Sequence, residues 1–156
     1  MTIWRISNHA ALDGGGGIRA SSRWHTRGRR IVYCAPNPAT ALLEILVHAE
    51  IDLDDIPVTY KYLEIDVPER TTRESIAMAS LQTGWRKDSS AKRSRGDAWL
   101  HASRTALLMV PCVIVPETVN VLINPRHADS ARIRIKRTHE QAADLRLTSP
   151  TSTPPA

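Results

Sequence analysis

The feature that most constrains the fold is the pair of prolines around Asn37, because they fix where one element ends and the next begins. Residues 31–35 form a short apolar run that opens with two β-branched residues, and Pro36 stops it. This run predicts a β-strand. Asn37 followed by Pro38 predicts a helix start, since the Asn side chain accepts from free backbone N–H groups and Pro fits the first helical position. The helix is predicted to reach about residue 50, so a strand passes into a helix without a spacer.

Glu44 is the one charged side chain in the apolar part of that helix. The aliphatic residues around it cover most of the circumference, which indicates a buried helix. They are Leu42, Leu43, Ile45, Leu46 and Val47. A carboxylate in such surroundings must be paired or used, because burying it alone is costly or neutralises it. Glu44 is therefore a functional carboxylate, a member of a structural ion pair with Arg23 or Arg27, or a residue at a solvated edge.

Tyr33, at the middle of the strand, has two interpretations as well. It is either an ordinary core residue with a satisfied hydroxyl or a residue of a functional site. Arg23, taken alone, is a weaker indication of a functional site than Glu44 or Tyr33.

Further strands follow from apolar patterning and from prolines that punctuate it. They are predicted at residues 2–6, 58–67, 105–110, 113–115, 119–123 and 131–136. The apolar phase changes at Tyr62 and Leu63, which predicts a bulge there and places Tyr60 and Tyr62 in the sheet core. Residues 131–136 alternate apolar and basic side chains, as an exposed edge strand does. One well-marked helix among mainly antiparallel strands gives the class α+β.

The remaining segments give weaker patterns. Residues 14–17 are four glycines that lack the Gly-Lys-Ser/Thr ending of a phosphate loop, so we interpret them as a flexible turn. Residues 69–82 have a mediocre helical pattern, and residues 87–95 predict a mobile or partner-facing polar loop. Asp97 is the predicted N-cap of a short helix over residues 96–104 that carries Trp99 into the core.

Length and composition bound the class of protein. A chain of 156 residues predicts one domain, over residues 1–147, with an acidic loop at 51–57 and a disordered tail at 148–156. It has neither an 18-residue apolar span nor the apolar region of a signal peptide, so we expect a soluble, cytoplasmic protein without a membrane contact. Cys34 and Cys112 lack metal-ligand spacing, which argues against a zinc site and a secreted disulfide scaffold. Both are expected to lie in strands as small buried residues.

Several motifs recur in order over about residues 3–135. They are Arg23-Trp24, Gly28, Ile31-Val32-Tyr33, Ala41-Leu42-Leu43-Glu44, His48, Gly96-Asp97-Ala98-Trp99-Leu100, Val110-Pro111, Asn120-Val121-Leu122-Ile123-Asn124-Pro125 and His127. Together they resemble the RES-domain toxins of bacterial toxin–antitoxin systems, which are distantly similar to ADP-ribosyltransferases and act on NAD. The resemblance implies a compact ADP-ribosyltransferase-like fold, with NAD in a cleft between small sheets.

The resemblance also implies an enzyme that releases nicotinamide from NAD, with NAD as substrate and with no cofactor or metal. Scission of that glycosidic bond has an oxocarbenium-like transition state, which a carboxylate stabilises. Glu44 is assigned that role. Arg23 suits the diphosphate, and Tyr33 suits stacking on nicotinamide or a hydrogen bond to the ribose. ADP-ribose can then pass to water, to phosphate or to a protein side chain.

Three further residues are expected at the substrate. Arg5 assists Arg23, His25 stands where the family often has Asn, and Cys112 stands where it commonly has Ser, a stronger hydrogen-bond donor. The expected partner is an Xre-type helix-turn-helix antitoxin, through which alone nucleic acid is contacted. Homodimer formation is left open.

The net charge of +5 and the pI near 9.7 are also compatible with a second functional class, a protein directed at nucleic acid. A small basic RNA-directed toxin or nucleic-acid-binding module would use the basic residues at 87–95 and 132–137. Against it, the sequence has no nucleic-acid motif and no Phe, and its aromatic residues are not interleaved with the basic clusters.

Overall fold

A computed structural model describes residues 1–48 and 59–147. Within them, strands form two sheets and three α-helices flank the sheets. The strands are β1 (Thr2–Ile6), β2 (Val32–Cys34), β3 (Thr59–Asp66), β4 (Arg73–Ser75), β5 (Leu107–Pro111), β6 (Val119–Ile123) and β7 (Arg134–Ala142). The helices are α1 (Gly15–Arg19), α2 (Pro38–His48) and α3 (Ser89–Ala102). The strands predicted at residues 2–6 and 119–123 are confirmed with the same bounds.

The two sheets meet at one seam. One has the strand order β1-β3-β7 and the other β2-β6-β5-β4. All neighbouring strands are antiparallel except β4 and β5, which are parallel. At the seam, Trp4 in β1 and Ala35 just after β2 exchange two backbone hydrogen bonds of 2.8 and 2.7 Å. The predicted α+β class is confirmed.

Two apolar clusters hold these layers together. The larger comprises Ile3, Val32, Cys34, Leu63, Ile65, Val67, Ala106, Leu107, Val121, Ile123 and Ile133. The other comprises Trp24, Ile31, Trp99, Leu108, Val110 and Leu122. The second cluster joins α3 to the segment that enters β2, and it contains the Trp99 that the sequence placed in the core. Cys34 and Cys112 are free and buried, as predicted, but only Cys34 lies in a strand, because β5 ends at Pro111.

The glycine run is not a flexible turn, and that prediction was wrong. Residues 15–19 form α1, which packs against the chain entering β2. A Cβ on Gly17 would lie 2.1 Å from the Arg29 carbonyl oxygen, and one on Gly14 would lie 2.5 Å from the Ile31 nitrogen. Gly14 also has a φ of +70°, which favours glycine. The glycines therefore permit close backbone packing.

The predicted polar loop at residues 87–95 was also wrong, because this segment forms the first half of α3. The helix is capped by Asp88, whose side chain accepts from the Ala91 N–H, and not by Asp97. Its buried face comprises Lys92, Gly96 and Trp99. That spacing is helical, but only one of the three is a large apolar residue, so the usual amphipathic pattern is missing.

The helix expected within residues 69–82 is absent from the described chain. Residues 73–75 instead form β4, which pairs in parallel with β5, and a 3₁₀ helix follows at Met78–Ser80. Asp129 fixes the entry to β4 by accepting from the Thr72 N–H and hydroxyl at 3.2 and 2.7 Å. This long-range pairing outweighs a weak local helical pattern.

Three strand predictions need adjustment. Residues 113–115 form no strand, because Cys112 and Thr118 close a turn between β5 and β6. The register irregularity lies between Glu64 and Ile65 rather than at Tyr62 and Leu63, although Tyr60 is buried and Tyr62 half-buried. The strand expected over residues 131–136 begins at Arg134, after the 3₁₀ helix Ala128–Arg132. It is an edge strand, as predicted.

Helix α2 begins where the sequence placed it. The Asn37 Oδ1 accepts from the Thr40 N–H at 2.8 Å, which confirms the predicted N-cap. The helix is less buried than expected, however, since Ala41 is buried but Val47 is 49% exposed. The acidic loop and the tail expected at residues 51–57 and 148–156 lie outside the described residues. In the part of the chain that the structure covers, no helix has the length and apolar character needed to cross a membrane.

Candidate active site

A cavity of about 260 Å³ lies at the seam between the two sheets. It is lined by Trp4, Arg5, Ile6, Ser22, Tyr33, Cys34, Ala35, Ala41, Glu44, Ile45 and Asn120. Most of the lining residues come from four elements. They are β1, the end of β2, the first turns of α2 and the start of β6. The sequence elements around Pro36 therefore converge on this cavity.

Glu44 is the carboxylate in the wall of the cavity. Its Oε1 accepts from the Asn120 Nδ2 at 2.6 Å and from the Cys112 thiol at 3.1 Å. Its Oε2 lies 3.7 Å from the Arg23 Nη1. Burial raises the pKa of the Cys112 thiol, and the Glu44 carboxylate raises it further, so Cys112 stays protonated and donates.

The Arg23–Glu44 contact of 3.7 Å is longer than two arginine–carboxylate pairs elsewhere in this protein. Arg29 lies 2.9 Å from Asp97, and Arg132 lies 2.7 Å from Asp129. The Arg23 Nη1 is buried and, within the described residues, has no hydrogen-bond partner. An unsatisfied guanidinium nitrogen is unusual in a purely structural ion pair. This geometry argues against the structural interpretation of Glu44 and Arg23.

The segment that carries Arg23 is fixed by α3. The Arg93 Nε donates to the Ser22 carbonyl at 2.8 Å, and Asp97 accepts from the Thr26 N–H and hydroxyl at 3.0 and 2.7 Å. A Cβ on Gly96 would lie 1.7 Å from the Trp24 carbonyl oxygen, so helix and segment touch backbone to backbone. The motif Gly96-Asp97 thus positions the arginine rather than starting a helix.

Tyr33 presents its ring to the cavity, while its hydroxyl is held by other groups. The Trp24 N–H donates to the Tyr33 oxygen at 3.1 Å, and the His25 Nδ1 lies 2.9 Å from it. The His25 Nε2 faces the Ala20 carbonyl at 3.0 Å, so Nε2 carries the proton and Nδ1 accepts from the Tyr33 hydroxyl. Burial raises the pKa of Tyr33 to about 12, and the phenol stays protonated.

The predicted site residues thus fall into two groups. Arg5, Tyr33 and Glu44 line the cavity, and the Arg5 Nη1 also donates to the Ala11 carbonyl at 3.0 Å. Arg23, His25 and Cys112 lie behind the lining. Each of those three contacts a lining residue: Arg23 and Cys112 contact Glu44, and His25 contacts Tyr33.

Asn120 is the site residue that the sequence analysis missed. It lines the cavity, and its contact to Glu44 is shorter than those of Cys112 and Arg23. A signal was present, because Asn120 is the one polar residue in the strand VNVLI and Asn is disfavoured in strands. Among the described residues, no group of three or more His, Cys, Asp or Glu side chains is arranged to hold a metal ion.

Comparison with known proteins extends over nearly the whole chain. The sequence pattern of the RES domain matches residues 2–148. The chain is 44% identical over 138 residues to "Toxin Res" of Pseudomonas putida. The alignment covers 87% of this chain and 94% of that protein. It is 35% identical over 156 residues to "Prs ADP-ribosylating toxin" of Sphingobium sp., covering 94% of this chain and 96% of that protein.

A solved structure shares the fold. The chain superposes with a TM-score of 0.68 on one from the MbcT–MbcA toxin–antitoxin complex of M. tuberculosis. The match covers 90% of this chain and 84% of that chain, at 16% sequence identity. At 16% sequence identity, the structural similarity shows a shared fold and nothing more.

Proposed function

This chain belongs to the RES-domain family, and from that premise we propose that it is the toxin of a toxin–antitoxin pair that breaks the nicotinamide–ribose bond of NAD. The observation that carries the proposal is the cavity-wall carboxylate of Glu44, with Arg23 3.7 Å away and not satisfied by it. Both relatives are named as toxins, and the name of one, an ADP-ribosylating toxin, supports this reaction class. We place its action in the cytoplasm.

In the proposed reaction the bond between the ribose C1′ and the pyridinium nitrogen breaks, and its electron pair neutralises that nitrogen. Positive charge then develops on the ribose, and the Glu44 carboxylate stabilises it. Nicotinamide leaves as a neutral molecule, so no strong general acid is required. When water is the acceptor, its oxygen bonds to C1′ and its proton passes to solvent, which gives ADP-ribose.

The other residues bind and orient the dinucleotide. A cavity of about 260 Å³ is smaller than the usual pocket for a drug-sized molecule, so it suits the nicotinamide–ribose end. The Tyr33 ring is available for stacking on nicotinamide, since its hydroxyl is already bonded on both sides. The guanidinium of Arg5, which lines the cavity, and that of Arg23, whose side chain behind the lining is 22% exposed, suit the diphosphate.

We propose an antitoxin with an Xre-type helix-turn-helix domain as the partner. The solved structure that shares this fold is described as a toxin–antitoxin complex. The net charge of +5 suits an acidic protein partner as well as the diphosphate of the substrate. On this proposal the chain does not need to contact nucleic acid itself.

The direct test is incubation of the purified, antitoxin-free protein with NAD, with chromatographic measurement of nicotinamide and ADP-ribose. We expect nicotinamide release that a chelator leaves unchanged and that Glu44→Gln reduces about a hundredfold or more. NAD labelled in the adenylate part, incubated with and without phosphate and with cell extract, distinguishes water, phosphate and protein as acceptors.

Two results would overturn the proposal. One is full dependence of nicotinamide release on an added divalent ion. The other is cleavage of RNA by wild-type protein that leaves NAD intact, which would favour the RNA-directed alternative. A gel-shift titration at physiological salt provides a check, since we expect only weak RNA binding.

A further inference from the structure

We propose that Asn120 is a positioning residue, whose side-chain amide holds the Glu44 carboxylate in its reactive orientation and ionised form. This inference rests on the proposed function, because it assigns a role within the same site. It gives Asn120 a task that neither its place in the strand nor the packing of the sheet explains.

The strand position itself argues for a specific task. Strand β6 reads VNVLI, and its residues 121–123 are buried in the apolar clusters. Asn has a lower β-propensity than Val or Thr and buries less apolar area, so either of those residues would suit the local structure better. Departures from local preference of this kind are typical of functional sites.

The hydrogen bonding shows which end of the Asn120 amide contacts Glu44. The Asn120 Nδ2 is 2.6 Å from the Glu44 Oε1, and only the amino end can face an ionised carboxylate, because two acceptors would repel each other. The other end, Oδ1, is buried and has no hydrogen-bond partner among the described residues. Leaving that carbonyl unsatisfied costs stability, which an apolar side chain would avoid. The contact with Glu44 therefore accounts for an amide at this position.

The consequence for Glu44 follows from charge-assisted hydrogen bonding. A donor at 2.6 Å favours the ionised carboxylate and fixes its plane. Cys112, just after β5, and Arg23, ahead of β2, also face this carboxylate. Arg5 on β1 and Tyr33 on β2 line the same cavity. Of these neighbours, Asn120 makes the shortest contact, and it is neutral, so its effect should not be screened by salt.

The primary test replaces Asn120 by Leu, which is similar in size and cannot donate. We expect kcat for NAD cleavage to fall roughly tenfold or more, with a much smaller change in KM. The acidic limb of the kcat profile should move to higher pH, because the ionised carboxylate has lost a donor. Val119→Thr, at an exposed position of the same strand, is the matched control and should leave both unchanged. In a Glu44→Gln background, Asn120→Leu should have almost no further effect on kcat.

A second variant keeps the proposal testable if Asn120→Leu fails to fold. Asn120→Asp has the same shape, but it places two carboxylates side by side that must share a proton. We expect its activity to fall as pH rises, while wild-type activity is retained. A pH profile like that of wild type in Asn120→Asp would overturn the proposal, and so would equal losses from Asn120→Leu with and without Glu44.

A readout independent of activity separates this proposal from the proposed function. Carbon-13 labelling of the glutamate carboxyls, with Glu44 assigned by its loss in Glu44→Gln, gives the titration of Glu44 directly by NMR. We expect the Glu44 pKa to be higher in Asn120→Leu than in wild type, whether or not NAD is the substrate. An unchanged titration overturns the positioning role, whereas an inactive wild type with a shifted titration overturns only the function.

Discussion

Arg23 and Glu44 face each other across 3.7 Å, but the protein holds them in different ways. The Arg23 segment is fixed through its backbone, because Ser22 and Thr26 are bonded to α3 and Trp24 lies against Gly96. Glu44 stands on a helix that is half-exposed along much of its length. Its carboxylate is fixed at the tip of the side chain, by Asn120 and Cys112.

The difference separates two kinds of requirement. A group that binds the ground state of a substrate needs a stable frame, and backbone contacts provide one. A group that acts on a developing charge needs the right oxygen orientation and charge, and side-chain donors set both. Changes on the α3 side should therefore affect stability and substrate binding, while changes on the Glu44 side should affect turnover.

The largest expected effect is that of Glu44→Gln on turnover. On the proposed mechanism this change removes the charge that stabilises the oxocarbenium. It should reduce kcat about a hundredfold or more, equivalent to about 3 kcal/mol, with the melting temperature nearly unchanged. Arg23→Ala is the companion variant, and it should mainly raise KM. Melting temperature and NAD turnover are measured on the same preparations. Near-normal turnover in folded Glu44→Gln would end the proposed mechanism.

Gly96→Ala tests the backbone contact between α3 and the Arg23 segment. Its Cβ would lie 1.7 Å from the Trp24 carbonyl oxygen, so the two elements must separate. We expect a loss of about 3 kcal/mol of stability, or a drop of about 10 °C in melting temperature. Gly16→Ala is the control, since its Cβ would meet nothing within 4 Å. A Gly96→Ala protein as stable as Gly16→Ala would contradict the comparison.

Asp97→Asn is expected to have a smaller effect of the same kind. It removes the charge that faces Arg29 and weakens the bonds to Thr26, which should cost about 1–2 kcal/mol and raise KM more than it lowers kcat. Asp88→Asn is the matched control, because Asn caps a helix about as well as Asp. Had Asp97 been the N-cap, both changes would be nearly silent. Thermal melts and NAD titrations on the two variants decide between these outcomes.

The smallest expected effect concerns His25, which supports Tyr33. Burial lowers the His25 pKa below its usual 6.5, and the nearby Arg93 adds to this, while the Ala20 carbonyl and Asp97 oppose it. A base with a lowered pKa in the folded state contributes stability above about pH 6.5 that is lost as pH falls through the folded pKa. His25→Asn should remove this part of the acid sensitivity. The check is the melting temperature of both proteins from neutral to mildly acidic pH, and equal slopes would contradict it.

Sequence reasoning succeeded where short-range rules decide the structure. The N-cap Asn37, the strand around Tyr33 and the core position of Trp99 follow from neighbours within a few residues. It failed for α3, whose buried face uses Lys92 and Gly96. The Lys92 ammonium donates to the Arg86 carbonyl at 2.6 Å, and no apolar stripe marks that contact.

The same limit applies to the site. Glu44 was identified because a carboxylate among aliphatic residues violates a local pattern. Asn120 violates one too, but its meaning depends on a partner 76 positions away in the chain. The role of Asp97 likewise depends on Thr26, 71 positions away. Such pairings are set by the tertiary fold, which residue spacing does not encode.

The two backbone hydrogen bonds between Trp4 and Ala35 have a consequence for the lifetime of the protein. Both residues line the cavity as well as joining the sheets, so a molecule in the cavity touches each side of the junction. Occupancy should slow hydrogen exchange at these two amides and resist opening of the sheets by proteases. On the proposed function, the substrate would then also protect the protein from degradation, and the chain would become more susceptible to proteolysis as that substrate is exhausted.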